Sequence, residues 1–372
     1  MIRVGLAGLG AAARMVLPIF EDIDGFELAA AADVRPDARE GFSKSYGRPA
    51  FVSIEAMCEA ARVDAVWIET PNELHCEHAL TAVAHGKHVI CAKPLGVTLD
   101  ECERMIEAAR AAGVHLVQAH CRAIDPPVLA MRDLVRSGKL GQAIQIETSI
   151  HNDWLQRPRL AEELDENVGG GVLLRQLPHQ VDIVRAIADS PVSEVYGVTG
   201  RWDPAFASDG NYVGLLKFAN GASATIAFNG YGWFDTTELT WGVDGLGKRN
   251  KVARPASVRR TGTLSASEKY AAAPSQTSRA GRSFAPIFGQ TIVSCERGSV
   301  RQSPAGLLVY DANGRHRLGI PPNLGRRAEL LALRQAIETG ERPFPDGEWG
   351  RETLRVCLAL RESARTGKPV AL

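Results

Sequence analysis

Two α/β domains, the first a doubly wound parallel sheet and the second built on antiparallel strands, are the fold class this sequence predicts. Three observations carry it. Residues 2–7 form a short apolar run that ends in Gly8-Leu9-Gly10 and passes into an alanine-rich stretch with helical potential, the strand, glycine turn and helix order that opens a parallel sheet. Up to residue 118, β-prone runs at 26–32, 63–68, 88–91 and 114–118 are set among stretches of helical spacing at 74–84 and 99–112. Strands separated by helices of that length pair in parallel. From residue 143 the pattern changes: strand candidates such as 221–228 alternate apolar and polar residues, and Asn220-Gly221 reads as a hairpin turn, which makes an antiparallel sheet. The 372 residues suffice for two cores, since domains run at roughly 100 to 200 residues.

The glycine turn has the form G-x-G-x-x-A. Gly8 allows the tight turn, Gly10 lets backbone N–H groups approach a pyrophosphate, and Ala13, beside Ala12, lets the next helix pack closely on the strand. The run 26–32 leads to Asp33, 23 residues past Gly10, where a carboxylate accepts hydrogen bonds from an adenosine ribose. That favours NAD. Arg35, just past Val34, could instead meet a 2′-phosphate, so NADP stays open. Ligands of doubly wound sheets sit at the carboxyl ends of the strands, which gathers Gly8, Asp33, Thr70, Pro71, Asn72 and Lys93 around one crevice.

Composition narrows the function classes. Lys plus Arg and Asp plus Glu are both 43, so the formal charge is zero, and a whole-protein electrostatic grip on nucleic acid or an anionic membrane has no support. No run of about 18 uncharged apolar residues offers a membrane span. Seven cysteines without C-x-x-C spacing argue against a disulfide framework or a zinc ribbon and for a reducing, cytoplasmic setting. Residues 4–20 imitate a signal peptide, but Gly5, Gly8, Gly10 and Arg14 interrupt them, and the glycine turn explains them better.

The stretch Val63-Asp64-Ala65-Val66-Trp67-Ile68-Glu69-Thr70-Pro71-Asn72-Glu73-Leu74-His75, followed by Gly86-Lys87-His88-Val89 and Lys93-Pro94-Leu95, resembles the Gfo/Idh/MocA family of nicotinamide-dependent oxidoreductases. A T-P-N-x-x-H loop and then a K-P-L loop follow a glycine turn. The resemblance implies a Rossmann domain over residues 1–122 and a substrate-binding and oligomerisation domain over 123–372, on a large, mostly antiparallel sheet with C-terminal helices at 324–372. It also implies NAD, or NADP, held by the turn, by Asp33, Val34 and Arg35, by Thr70, Pro71, Asn72 and His75, and by Lys93 and Pro94. Arg122 is a further residue lining the site. The family's E-K-P motif places a lysine near the nicotinamide. Here it reads Ala92-Lys93-Pro94, so the lysine carries over without the carboxylate that could fix the loop or hold the lysine charged. A lysine in a desolvated crevice can donate or accept a proton, because burial lowers its pKa toward neutrality.

In the second half the chemistry concentrates in Gly169-Gly170-Gly171-Val172-Leu173-Leu174-Arg175-Gln176-Leu177-Pro178-His179-Gln180-Val181-Asp182, against a family motif G-G-G-x-L-x-D-x-G-x-H-x-x-D. Arg175 stands where the family has its first Asp. If the segment is one helix, Arg175, His179 and Asp182 share a face. His179 then serves as general acid or base with Asp182 as its orienting carboxylate. A guanidinium suits a carboxylate bidentately, so Arg175, with Arg157 and Arg159 in the preceding loop, points to an anionic small-molecule substrate; the alternative is an Arg175–Asp182 salt bridge. Together with Val293-Ser294-Cys295-Glu296-Arg297-Gly298 and Asp346-Gly347-Glu348-Trp349-Gly350, this segment resembles the subgroup around phthalate 4,5-cis-dihydrodiol dehydrogenase.

The expectation is therefore an NAD(P)-dependent dehydrogenase that moves hydride between the nicotinamide and a secondary alcohol or ketone, with a carboxylated cyclic cis-diol as substrate and a homo-dimer or homo-tetramer formed through the C-terminal sheet. Two alternatives are a sugar or polyol dehydrogenase of the same family and a non-catalytic dinucleotide-binding regulator, because Ala92 and Arg175 depart from the active pattern. No metal site is expected, since His75-Cys76-Glu77-His78 belongs to the T-P-N-x-x-H loop and the helix after it. Residues 243–285 hold nine basic residues against two acids and read as a long excursion serving as a lid or an arm.

Overall fold

The computed structural model describes residues 1–157, 159–249 and 284–372. Most of the basic segment 243–285 thus lies outside the described residues. The chain forms two compact units. The first takes in Met1–His120 and Arg326–Leu354, and the described part of the second comprises 121–249, 284–325 and Arg355–Leu372.

In the first unit, strands β1 (Ile2–Ala7), β2 (Phe26–Ala32), β3 (Ala50–Phe51), β4 (Ala65–Ile68), β5 (His88–Cys91) and β6 (Leu116–Gln118) form a sheet in the order β3-β2-β1-β4-β5-β6, with every pair parallel. Order reverses between β1 and β4, the switch point at which doubly wound sheets bind ligands. Val4, Leu6, Trp67 and Ile90 are fully buried, as expected of parallel strands covered on both faces. Helix α1 is shorter than the alanine-rich run suggests. It spans Ala13–Val16 and then tightens into a 3-10 segment, Leu17–Glu21, because Pro18 has no N–H to continue the α-helical ladder. Helices α2 (Pro36–Tyr46), α3 (Ile54–Ala60), α4 (His75–Ala84) and α5 (Leu99–Ala111) complete the alternation. Thr98 and Glu101 close α5 with a capping box. The helix Arg327–Thr339 joins this unit because Leu330 and Leu333 sit in the same apolar cluster as Val4, Leu6 and Trp67, a partition that the sequence pattern did not anticipate.

In the second unit, α6 (Pro126–Arg136) precedes β7 (Ala143–His151), and α7 (Ala161–Leu164), α8 (Gly171–Arg175) and α9 (Leu177–Ala188) lead to β8 (Val192–Gly200), β9 (Asn211–Phe218) and β10 (Ser223–Asn229). Strands β11 (Gln290–Cys295), β12 (Gly298–Ser303), β13 (Gly306–Asp311), β14 (Gly314–Leu318) and β15 (Val370–Ala371) finish a nine-stranded sheet in the order β14-β13-β12-β11-β7-β10-β9-β8-β15. It is antiparallel except for β7 against β10. Gly221, with φ +89°, makes the predicted turn between β9 and β10.

The segment 171–188 is not one helix. Gln176 breaks it with φ −117°, and Pro178 stands in the first turn of α9, where its missing N–H costs nothing. The expected common face of Arg175, His179 and Asp182 is therefore corrected: Arg175 ends α8, and only His179 and Asp182 share α9. Gln180 fixes α9 to the sheet. Its fully buried amide donates to the carbonyls of Thr148 and Ala227, each at 3.1 Å, and accepts from the Tyr212 hydroxyl at 2.6 Å. Tyr212→Phe strips the amide oxygen of that donor, and the unfolding free energy measured in denaturant should fall by about 1–3 kcal/mol. An unchanged midpoint would show that Gln180 does not anchor the helix.

Candidate functional site

The crevice of the first unit is built by close backbone approach. Gly8 has φ +88°, and a Cβ there would stand 2.7 Å from the Glu69 carbonyl oxygen, so only glycine lets the turn after β1 lie against the end of β4. Beside it, Asp33 Oδ2 accepts from the Leu9 N–H at 2.8 Å, and Oδ1 accepts from the Arg35 N–H at 2.8 Å. The Arg35 guanidinium closes on the same carboxylate at 3.0 Å and reaches the Leu9 carbonyl at 3.2 Å. Burial would push the Asp33 carboxyl up, but these donors outweigh it and hold it below its ordinary value. Asp33 and Arg35, read from sequence as competing selectors of NAD and NADP, are thus a pair across the glycine turn. Gly10 and Ala12 are half-buried, Ala13 is buried, and Val34 is 79% exposed. An ionised acid at the end of β2, next to a tight glycine turn, fits the ribose and pyrophosphate of a dinucleotide.

The T-P-N-x-x-H and K-P loops are tied by His75. Its ring is fully buried, with Nδ1 2.8 Å from the Pro94 carbonyl and Nε2 3.0 Å from the Thr70 carbonyl. His75, expected among the residues that hold the cofactor, bonds one carbonyl of each loop. Thr70 and Lys93 are half-buried, Asn72 is buried and Pro71 is exposed. The Thr70 hydroxyl meets His78 Nδ1 at 2.9 Å, so His75 and His78 both serve this loop. Among the described residues, no cluster of three or more His, Cys, Asp or Glu is arranged for a metal. Two carbonyls facing one ring favour its protonated form, yet burial dominates and brings its pKa down to about 4. With an unfolded value near 6.5, unfolding takes up a proton below that pH. Stability from this ring is therefore complete above about pH 6.5 and is lost as pH falls toward 4. Relative to His75→Asn, the native protein should show a steeper fall in denaturant stability across that window. Parallel profiles would remove the buried neutral ring.

In the second unit, Arg159 lies over the Trp154 ring with its guanidinium carbon 4.1 Å from the centroid, and it donates to the Trp154 carbonyl at 2.9 and 3.1 Å. Burial, with Arg157 and Arg175 nearby, lowers its pKa to about 10 despite Glu163. Arg175 Nη1 is 3.2 Å from Glu163 Oε1, and Arg159 Nη1 is 3.8 Å from the same oxygen. Two guanidiniums thus converge on one buried carboxylate. Arg175, at the end of α8, thus has Glu163 on α7 as a partner. Arg157 is half exposed and pairs with Asp153 at 2.7 Å. His179 meets the Phe288 ring edge-on, 4.9 Å between centroids. On the same phenyl ring lies Arg122, 4.4 Å from the centroid, with Nη1 on Asp125 at 2.9 Å and on the Gly245 carbonyl at 2.6 Å. Asp182, fully buried, is one turn along α9 from His179. Sequence reasoning missed Glu163 and Phe288; the i,i+4 spacing of Arg159 and Glu163 was a signal for the first, and none marks Phe288.

Comparison with known proteins agrees with this architecture. Residues 2–120 match the family described as "Oxidoreductase family, NAD-binding Rossmann fold", and 128–245 match the GFO/IDH/MocA C-terminal domain. The chain is 33% identical to the 1-carboxy-3-chloro-3,4-dihydroxycyclohexa-1,5-diene dehydrogenase of Comamonas testosteroni, over 99% of this chain and 95% of that one. A crystal structure from Bordetella bronchiseptica RB50 superposes with a TM-score of 0.91 at 34% identity, over 100% of both chains. An Agrobacterium radiobacter oxidoreductase, solved with NAD+, L-tartaric acid and magnesium, has a TM-score of 0.75 at 18% identity over 100% of this chain and 98% of its own, and shares the fold. A glycine turn at the switch point, an acid at the end of β2 and two family matches over both halves lead to one conclusion: this chain belongs to the Gfo/Idh/MocA family of NAD-binding oxidoreductases.

Proposed function

We propose that this oxidoreductase is an NAD-dependent dehydrogenase of carboxylated cyclic diols, and that Arg175 and Arg159 bind the substrate carboxylate. The observation that carries this reading is the convergence of both guanidiniums on Glu163, a cation-rich pair held in place by one acid. A planar guanidinium fork matches a carboxylate, whereas a neutral polyol offers only hydroxyls. The full-length relative from Comamonas testosteroni is named for a substrate with a carboxyl and two hydroxyls on a ring. The sugar or polyol reading lacks such an anchor.

Bound NAD+ supplies a hydride acceptor at C4 of the nicotinamide. Lys93 or His179 takes the proton of the hydroxyl as the C–H pair leaves the carbinol carbon, giving a ketone. On a dihydrodiol ring that ketone tautomerises to an aromatic catechol, which draws the reaction forward. The seven cysteines are all buried and lack C-x-x-C spacing, which supports a reducing, cytoplasmic setting, and no helix among the described residues is long and apolar enough to cross a membrane.

Arg175→Ala should raise KM for a carboxylated cyclic diol by about 10- to 150-fold, the equivalent of the 1.5–3 kcal/mol of a hydrogen bond to a charged group. KM for the ring diol without a carboxyl should change little. NADH formation followed by absorbance reads both. Equal losses on charged and neutral substrates would make Arg175 structural and withdraw the carboxylate reading.

The outer face of the second sheet supports a homo-oligomer. Tyr196 pairs with Leu215 and Val198 with Val213 across β8 and β9, and all four are 40–54% exposed, a contiguous apolar patch that a second copy would cover. Leu215→Glu combined with Val213→Glu should yield monomers in sedimentation equilibrium; an unchanged mass would move the interface elsewhere.

A further inference from the structure

Glu69 is a buried acid that the mechanism above does not use. It directly follows β4, and its side chain is 1% exposed. Oε1 accepts from the Trp67 indole N–H at 2.7 Å and meets His120 Nε2 at 2.5 Å. His120 stands just past β6 in the left-handed region, with φ +60°. Its backbone N–H donates to Glu329 Oε1 at 3.0 Å, and Glu329 in turn pairs with Arg326 at 2.7 Å. Burial would push the Glu69 carboxyl up, but His120, Trp67 and Arg326 outweigh it and hold it below its ordinary value. Burial and Arg326 together push the His120 imidazole down. The pair is therefore an ionised carboxylate that accepts a hydrogen bond from a neutral imidazole.

The sheet topology gives this pair its place. Strand β5 lies between β4 and β6, with Ile68 opposite Cys91 and Cys91 opposite Gln118. A bond from Glu69 to His120 accordingly spans the end of β5. The charge of Glu69 is felt there, since after burial it is the next cause raising the Cys91 thiol. The chain leaves β5 through Ala92, whose N–H donates to the Ile68 carbonyl at 3.0 Å, and then Lys93. Ala92 is buried, and because Ile68 stands opposite Cys91, Glu69 and Ala92 are the residues that follow the two strands side by side. A buried carboxylate costs several kcal/mol unless it is well compensated, and this one, with two nitrogen partners on Oε1, stands at a strand end that borders the crevice.

We propose that Glu69, held across the end of β5 by Trp67 and His120, is the positioning carboxylate of the Ala92-Lys93-Pro94 loop, supplying from the neighbouring strand the negative charge that position 92 lacks. The proposal rests on NAD binding in this crevice and is independent of the substrate's identity. Its carboxylate favours the cationic ring of NAD+ over the neutral ring of NADH.

The test measures dissociation constants for NAD+ and NADH by fluorescence titration of the full-length protein, which needs no substrate. Glu69→Gln keeps the shape and removes the charge; the preference for NAD+ should fall by up to about tenfold, as expected for the loss of one partly screened unit charge near the cofactor. Ala92→Glu alone should weaken both ligands, because two carboxylates then crowd one site. The double variant should return the NAD+ to NADH ratio to within about threefold of the native value, a departure from additivity that only shared function produces. Trp67→Phe removes one hydrogen bond, keeps the charge and should leave the ratio unchanged. Should Glu69→Gln fail to fold, the double variant is compared with Ala92→Glu and should bind NAD+ better. The proposal is overturned if Glu69→Gln leaves the ratio unchanged, if Trp67→Phe lowers it equally, or if the double variant is no better than Ala92→Glu.

Discussion

The contact between the Gly8 turn and the backbone of Glu69 is the constraint on which the first unit's chemistry depends. With 2.7 Å between a would-be Cβ and the Glu69 carbonyl, the turn after β1 and the end of β4 meet without an intervening side chain. That closeness sets the floor of the crevice at the switch point, where strand order reverses. It also fixes where the chain leaves β4, and so where Thr70, Asn72 and His75 stand. His75 carries the constraint one strand further by joining the Thr70 and Pro94 carbonyls, and Glu69 carries it two strands further to His120.

A chain with zero formal charge can still be strongly polarised where it is dry. Asp33 with Arg35, and Glu163 with Arg159 and Arg175, are small sets of ions withdrawn from water and bonded to one another, and Glu69 is a buried ion bonded to the neutral rings of Trp67 and His120. Isolated, each would cost several kcal/mol. Grouped, they hold defined charge at defined places. The exposed pairs, such as Arg136 with Asp189, are worth little by comparison because water screens them.

Much of the first unit was legible in the residues. The glycine turn, the alternating strands and helices, and the T-P-N-x-x-H and K-P loops are local patterns, and their structures form from neighbours in the chain. Asp33, Thr70, Asn72 and Lys93 fell at strand ends for the same reason. Phe288 and the Glu69–His120 bond were not legible, because each acts through a partner distant in sequence, whereas Glu163 stands four residues past Arg159 and was missed because that stretch was read as a loop. The shared face of Arg175, His179 and Asp182 was conditional on one helix through that segment, and the break at Gln176, with Pro178 in the first turn of α9, is what removes it.

The sequence by itself determined the sheet types, the cofactor class and the residue types available at each strand end, since backbone periodicity and glycine conformation are local properties. Tertiary structure alone decided who pairs with whom. Arg35 turned to Asp33, Arg175 at the end of α8 reached back to Glu163 on α7, and Leu330 and Leu333 drew a distant helix into the first core. The physical reason is that burial makes an uncompensated charge or an uncovered apolar stripe costly, and the partner that relieves the cost is chosen by proximity in the fold, which chain order does not record.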